Sequence, residues 1–322
     1  MVSVPIPRPD DPSYNHQYAQ INGIRMHFID VGPRDGVPLV LVHGWPDLWF
    51  GWRYQIQALR ETYRVIVPDN RGYGETESPL EPDTYGRKTI CEDYEALLDY
   101  LNLDKAVFIG HDWGGAVVWR MCLFKPDRVL AVASVCTPHL PRQPAYMPMD
   151  TFVKFLPSFQ YQVLLVQDDT PAFFAAHIHK FFRYLFETPL VHNYGSINDN
   201  FVALPKIEFA APTSPYVSPE DMAYYEAQYK KSGFATSLNW YKTRELDWHD
   251  MADVAQTVPH QALFIAAGRD EALPPAMSKG MDAFVPNLTR HEIDHASHWV
   301  LVEAPEEVNA MLFDWLATVN AE

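Results

Sequence analysis

No cluster of lysine or arginine occurs anywhere along the chain, and 25 basic residues against 41 acidic ones leave a formal net charge of −16. A polyanionic partner requires a concentrated cationic face, so neither nucleic acid nor an acidic membrane surface is expected as a partner. Cysteine is equally scarce. Cys91, Cys122 and Cys136 form an odd set inside apolar or amphipathic stretches, which excludes a disulfide framework and fits buried free thiols in a reducing compartment. No run of about 18 apolar residues is present, so no membrane span is expected. Residues 1–17 carry four prolines and acidic residues, where a signal peptide would have a basic start and an apolar run. The closing Asn320, Ala321 and Glu322 match no peroxisomal or reticulum address. The expectation is a soluble, cytoplasmic protein, monomer or homodimer. There is no internal repeat or low-complexity segment either. What is present is bulk: 322 residues, 48% of them hydrophobic, suffice for one large domain with an elaboration or two modest ones.

Residues 18 to 30 read as two strands joined by Asn22-Gly23, a pair suited to the positive φ values of a tight hairpin. Short apolar runs follow at Pro38–Val42, Tyr63–Val67, Ala106–Ile109 and Val129–Val135, separated by helical patterns such as Cys91–Leu101. Strands alternating with helices imply crossover connections and a mostly parallel sheet flanked by helices on both faces. From Pro138 to about Leu246 the sequence turns aromatic-rich, proline-punctuated and helical. Strand-like runs resume at Ala262–Ala267 and Thr289–Ile293, and an amphipathic helix from Pro305 to about Thr318 closes the chain. The reading is an α/β core in two pieces, residues 1–137 and 247–322, interrupted by a mainly helical cap over residues 138–246.

The stretch AVFIGHDWGGAVVWRM, residues 106 to 121, carries a buried strand directly into a helix, with Asp112 at the turn and Gly110 and Gly114 two residues to either side. A sharp strand-to-helix turn holds its central residue in a strained conformation, and glycines at those offsets let neighbouring backbone pass closely. The side chain at the tip would stand over the strand ends near the positive end of the following helix, where an anion is favoured. A plainer role, capping that helix, is also open to Asp112.

HDWGG resembles the nucleophile elbow of the epoxide hydrolase and haloalkane dehalogenase branches of the α/β-hydrolase superfamily, which carry Asp where esterases carry Ser. The resemblance covers residues 18 to 319 and implies the α/β-hydrolase fold. The exchange has a chemical logic: a carboxylate displaces a leaving group from an sp³ carbon without prior deprotonation, giving an ester whose carbonyl belongs to the enzyme. Breaking that ester takes an activated water, an oxyanion stabiliser and an acid to orient the base. LVHGWPDLWFGWR, residues 41 to 53, is similar to the HGxP segment that supplies half of the family's oxyanion hole, and the resemblance implies that the backbone amides of Trp45 and Trp113 face the oxyanion and that Pro46 is cis. His43 and His111 are expected to be structural.

Asp270 in AAGRDEAL and His298 in IDHASHWVLVEAP complete the order nucleophile, acid, histidine. Glu271 and His295 are their near competitors; the family pattern of a small residue, His and Trp selects Ser297, His298 and Trp299. Some dehalogenases place the acid after the strand preceding the cap, but Cys136, Thr137, Pro138 and His139 offer no carboxylate there.

The cap must choose the substrate. Epoxide opening leaves an alkoxide, for which phenols are suitable proton donors, whereas a halide needs only NH donors. FQYQVLLVQDD, residues 159 to 169, and SLNWYKTRELDW, residues 237 to 248, resemble the cap segments that carry the acid tyrosines of soluble epoxide hydrolases, at Tyr161 and Tyr241. Tyr224, Tyr225 and Tyr229 look like one helix face in a core, and Trp240 like scaffold for Tyr241. Phe152, Phe155, Phe173, Phe174, Phe181 and Phe182 either line an apolar cavity or fix cap to core. His177 and His179 lie in a helical pattern without a matching carboxylate or Cys pair, so no metal site is expected. The resulting expectation is a cofactor-independent, metal-independent epoxide hydrolase acting on a small apolar epoxide and water. A dehalogenase using the same Asp112 is the alternative, and a non-catalytic binding protein on the same scaffold is a third reading.

Overall fold

Residues 6–187, 195–209 and 211–319 are described by a computed structural model of the chain. The chain terminus at Asn320–Glu322 lies outside the described residues. Strands β1 (His16–Ile21) and β2 (Ile24–Val31) form an antiparallel hairpin. Its turn residues Asn22 and Gly23 take φ values of 45° and 82°, the left-handed pair that matches a two-residue turn to the strand twist. The further strands are β3 (Pro38–Val42), β4 (Arg64–Pro68), β5 (Ala106–His111), β6 (Val129–Val135), β7 (Gln261–Ala267) and β8 (Leu288–Ile293). Together they make one eight-stranded sheet in the order β1-β2-β4-β3-β5-β6-β7-β8, parallel from β4 to β8.

The core helices are α1 (Arg53–Leu59), α2 (Arg87–Tyr100) and α3 (Trp113–Phe124). The insertion between β6 and β7 holds α4 (Met149–Phe155), α5 (Tyr161–Leu165), α6 (Thr170–Ala176), α7 (Ile178–Leu185), α8 (Ile197–Ala203), α9 (Pro219–Ser232), α10 (Ala235–Leu238) and α11 (Arg244–Asp250). The core then ends with α12 (Val300–Glu303) and α13 (Pro305–Leu316). α2 packs against α3, and α1 against α13. With helices over both faces, every residue of β4 and β5 is buried, which is why those strands read as continuous apolar runs instead of alternating ones. α2 starts four residues earlier than its apolar pattern: Ile90, Cys91, Tyr94, Leu97 and Leu98 make the buried stripe, and its polar first turn lies outside that periodicity.

The phenylalanines of the insertion divide between the two roles foreseen for them. Phe174, Phe181 and Phe182 are buried in an aromatic cluster with Phe201 and Phe234, and Trp45 of the core meets Phe181 edge-on at 5.7 Å. Phe152 and Phe155 instead line a cavity, and Phe173 is half-buried beside Phe174. On α9, Tyr225 and Tyr229 are buried and Tyr224 is half-buried. The hydroxyl of Tyr225 donates to Asp47 at 2.7 Å and that of Tyr224 accepts from the Trp49 indole at 2.8 Å. These bonds tie the insertion to the loop after β3. Among the described residues no helix is long and apolar enough to cross a membrane.

Candidate active site

Asp112 occupies the turn between β5 and α3 with φ 53° and ψ −122°. A non-glycine residue there is strained by roughly 1–3 kcal/mol and persists only where its surroundings fix it. They do so by close approach: a Cβ on Gly114 would lie 1.9 Å from the Val42 carbonyl oxygen, and one on Gly110 would lie 2.2 Å from that of Gly114. Thr137 Oγ1 adds a hydrogen bond to the Asp112 carbonyl at 2.6 Å. The carboxylate is thereby held at the carboxyl edge of the sheet, at the start of α3.

Its oxygens face different partners. Oδ1 accepts the Trp45 amide at 2.8 Å, and the Trp113 amide also hydrogen-bonds this carboxylate. The Trp45–Pro46 peptide is cis. His43 braces this loop, donating from Nδ1 to the Gly44 carbonyl at 2.8 Å and accepting the Asn70 amide on Nε2 at 3.0 Å, which fixes it as the neutral Nδ1–H tautomer. Oδ2 of Asp112 lies 3.6 Å from His298 Nε2. His298 Nδ1 in turn meets Asp270 Oδ2 at 2.8 Å, and Asp270 Oδ1 accepts the amides of Ala272 and Leu273 at 2.9 and 2.8 Å. The fold thus assembles Asp112, His298 and Asp270 from the ends of three different strands.

Burial works against every charge in this group. It lowers the basicity of His298, but the Asp270 and Asp112 carboxylates outweigh it and raise the imidazole to about 9. Burial raises Asp112, with His298 and the two amides opposing. Asp270 is held below its ordinary value because His298 and its hydrogen bonds overcome burial. The two acids on either side thereby favour the protonated form of His298. A folded-state value above the unfolded one, about 6.5, means that the stabilisation from this proton is complete below pH 6.5 and is lost as pH rises through 9. The shift corresponds to a stability difference on the order of 3 kcal/mol. Melting temperatures measured from pH 6 to 10 on the native chain and on His298→Gln are expected to converge as pH rises; a constant gap would contradict this charge state.

Tyr161, at the start of α5, and Tyr241, just before α11, are both buried and line a small cavity of about 50 Å³ together with Asp112 and His298. Burial, then the Asp112 carboxylate, pushes Tyr161 upward; for Tyr241 burial comes first, then Tyr161 and Asp112. Both hydroxyls remain protonated donors, and each acts on the other's titration. The Tyr241 ring stands edge-on to Trp45 and Trp113 at 5.4 and 5.1 Å. Trp240 turns away, its indole donating to the Arg71 carbonyl at 3.1 Å. A second cavity, about 590 Å³, shares the Asp112 and Tyr161 wall.

The competitors lie elsewhere. His295 is exposed and pairs with Glu307 at 3.3 Å, and Glu271 is exposed. His111 is buried, donating from Nε2 to the His298 carbonyl at 2.8 Å. His179, for which the sequence offered no carboxylate partner, meets Glu226 of α9 at 2.7 Å on the surface; the pairing spans 47 residues and is invisible to local spacing. Among the described residues, His111, Cys136 and His298 are the one group whose ligand atoms lie close enough for a metal, and His298 is already engaged with Asp270.

The sequence matches the family model described as alpha/beta hydrolase fold over residues 37–305 and that described as epoxide hydrolase N terminus over residues 11–52. It is 30% identical to epoxide hydrolase srdG of Neurospora crassa, over 96% of this chain and 97% of that protein. The chain belongs to the epoxide hydrolase family of α/β hydrolases. The crystal structure of epoxide hydrolase A from Mycobacterium thermoresistibile superposes with a TM-score of 0.86 at 30% identity, covering 95% of this chain and 99% of that one. Bifunctional epoxide hydrolase 2 of Rattus norvegicus is 38% identical over 98% of this chain, which spans 58% of the length of that relative. Within the family, the dehalogenase alternative is not favoured.

Three groups around the site escaped sequence reasoning. Cys136, with φ 66°, donates its thiol to the His298 carbonyl at 3.7 Å. It follows β6 directly, in a stretch without a carboxylate, Cys136-Thr137-Pro138-His139. Asn70 holds the His43 loop from the far side of β4, its Nδ2 donating to the His43 carbonyl at 2.8 Å. Asp47, directly after Pro46, is pushed up to about 6 by burial while Tyr225 and the Leu48 amide oppose. The Asp that follows HGWP is the one signal the sequence offers for it.

Proposed function

We propose that this chain hydrolyses epoxides to vicinal diols through a covalent ester on Asp112. The observation that carries the reading is the pair of buried phenols, Tyr161 and Tyr241, on the wall of the same small cavity as Asp112 and His298. A carboxylate and two proton donors facing one confined space suit a ring opening in which the carbon gains an oxygen while the departing oxygen gains a proton. Asp112 Oδ2 attacks a ring carbon, the C–O bond breaks, and Tyr161 or Tyr241 protonates the alkoxide. The ester removes one of the two negative charges that keep His298 protonated, so the imidazolium returns its proton to the tyrosinate and becomes a neutral base. His298 Nε2 then takes a proton from water, and the hydroxide adds to the Asp112 carbonyl carbon. The amides of Trp45 and Trp113 stabilise the negative charge on Oδ1. Collapse releases the diol and restores the Asp112 carboxylate and the His298 imidazolium, with Asp270 holding the ring throughout.

In the same reading residues 138–246 act as a cap over core pieces 1–137 and 247–322, and the substrate is an epoxide with an apolar body. The chain works as monomer or homodimer in the reducing cytoplasm, supported by three buried free thiols. The test is a single turnover of styrene oxide in water labelled with heavy oxygen. The first diol is expected to lack label, which should appear in the peptide containing Asp112. Label in the first diol and none in the protein would remove the covalent step, and halide release from haloalkanes without diol formation would favour a dehalogenase.

A further inference from the structure

The larger cavity carries charge that the two-step reaction does not use. α3 runs along one wall: Asp112, Ala116 and Arg120 all line it, and their spacing of four places them on one helix face. Eight residues at 1.5 Å each set Arg120 about 12 Å beyond the nucleophile. The small side chain of Ala116 leaves the intervening wall open. Arg87 and Arg244 line the same cavity, and Arg87 is the first charge to act on each of the others: burial and then Arg87 lower Arg120 to about 10, and the same two causes lower Arg244.

The carboxylate beside them is Asp247, and it is already engaged. Its Oδ1 accepts the Arg87 amide at 2.7 Å, and its Oδ2 takes Arg87 Nη1 at 2.7 Å and Thr243 Oγ1 at 3.2 Å. Among the described residues neither Arg120 nor Arg244 forms an ion pair, and the Nε atoms of both are buried without a hydrogen-bond partner. Arg244 is stacked on the Phe152 ring at 3.7 Å, with Nη2 donating to the Met147 carbonyl at 3.3 Å. Four guanidiniums line the cavity, Arg142 being the fourth with its Nε donating to the Trp248 carbonyl at 2.8 Å, against the two carboxylates Asp112 and Asp247. This leaves a surplus of two positive charges on the wall, in a chain with 41 acidic residues available to neutralise it. Partly desolvated charge is retained at a cost unless something pairs with it.

We propose that Arg120 and Arg244, backed by Arg87, form an anion subsite for the carboxylate of an acidic epoxide, whose oxirane lies at Asp112 and whose apolar spacer runs past Ala116. The assignment rests on the epoxide reading and deepens it from apolar epoxides to epoxides with a remote carboxylate. Guanidinium and carboxylate are suited to paired charge-assisted hydrogen bonds.

The probes are the terminal epoxide of undecenoic acid, its methyl ester, and undecanoate, which has no oxirane. The native chain is expected to prefer the acid over the ester by about tenfold or more in kcat/KM, the worth of a charge-assisted contact. Arg120→Gln and, separately, Arg244→Gln should each bring that ratio close to one, chiefly through KM, while Arg120→Lys keeps part of it. Undecanoate should bind the native chain in calorimetry and bind the Gln variants about tenfold more weakly. Equal kcat/KM for acid and ester in the native chain, or a ratio unmoved in both folded Gln variants, would overturn the subsite. Arg120-dependent binding of undecanoate with no diol from any epoxide would sink the epoxide reading and leave the subsite standing. Diol formation without undecanoate binding would do the reverse.

Discussion

His298→Gln is expected to leave the protein alkylated on Asp112 after one turnover. The first half-reaction needs the Asp112 carboxylate and a proton donor, and both survive the change. The second needs Nε2 to take a proton from water, which an amide cannot do. General-base catalysis of this kind contributes about 10²–10⁴-fold, so steady-state diol formation should fall by that order. Intact-mass analysis should meanwhile show one added styrene oxide per chain. Gln suits the site because the ring it replaces lies in a packed wall against His111 at 4.9 Å and Trp299 at 5.3 Å. Turnover at the native rate, or loss of activity with no adduct, would remove His298 from the role of base.

The second large effect is expected from Tyr161→Phe combined with Tyr241→Phe. Each change deletes one hydroxyl and keeps a ring, so the edge-on packing of residue 241 on Trp45 and Trp113 is preserved. Without a phenol the alkoxide must leave unprotonated, and formation of the ester should slow by about 10²–10⁴-fold, while hydrolysis of an ester already formed is unchanged. Because the two hydroxyls share one small cavity and serve one oxygen, the single variants should retain more activity than independent contributions would allow. Stopped-flow measurement of ester formation separates the two steps. A double variant that forms the ester at the native rate would leave both tyrosines as packing.

Much of the site is legible because its parts are local backbone devices. Gly110 and Gly114 around Asp112 mark a turn that only small flanking residues permit, and a Cβ 1.9 Å from the Val42 carbonyl shows how little room exists. Asn22-Gly23 marks its hairpin for the same kind of reason: a backbone torsion demands a residue type, and the residue type can be read. The helical insertion is legible only as a change of pattern. Its aromatic residues divide between a packed cluster and a cavity wall, and nothing in the spacing of Phe152 and Phe174 distinguishes those fates. His179 and Glu226 illustrate the same limit, since their pairing depends on how α7 meets α9.

The sequence by itself determined the order of strands and helices, the strained acid at the β5–α3 turn, and the histidine and second acid that follow it in the chain. The elements and the strained turn depend on neighbours within a few residues, where torsional preference and apolar periodicity act, whereas His298 and Asp270 are read from their likeness to the family's motifs. The tertiary structure alone decided that Cys136 would meet the His298 carbonyl, that Asn70 and His43 would brace the loop after β3, and that Arg87, Arg120 and Arg244 would line one cavity. Hydrogen bonding and charge balance are sums over whatever the fold brings within a few ångströms. Those sums join residues from separate strands and helices, and no local pattern in the chain encodes them.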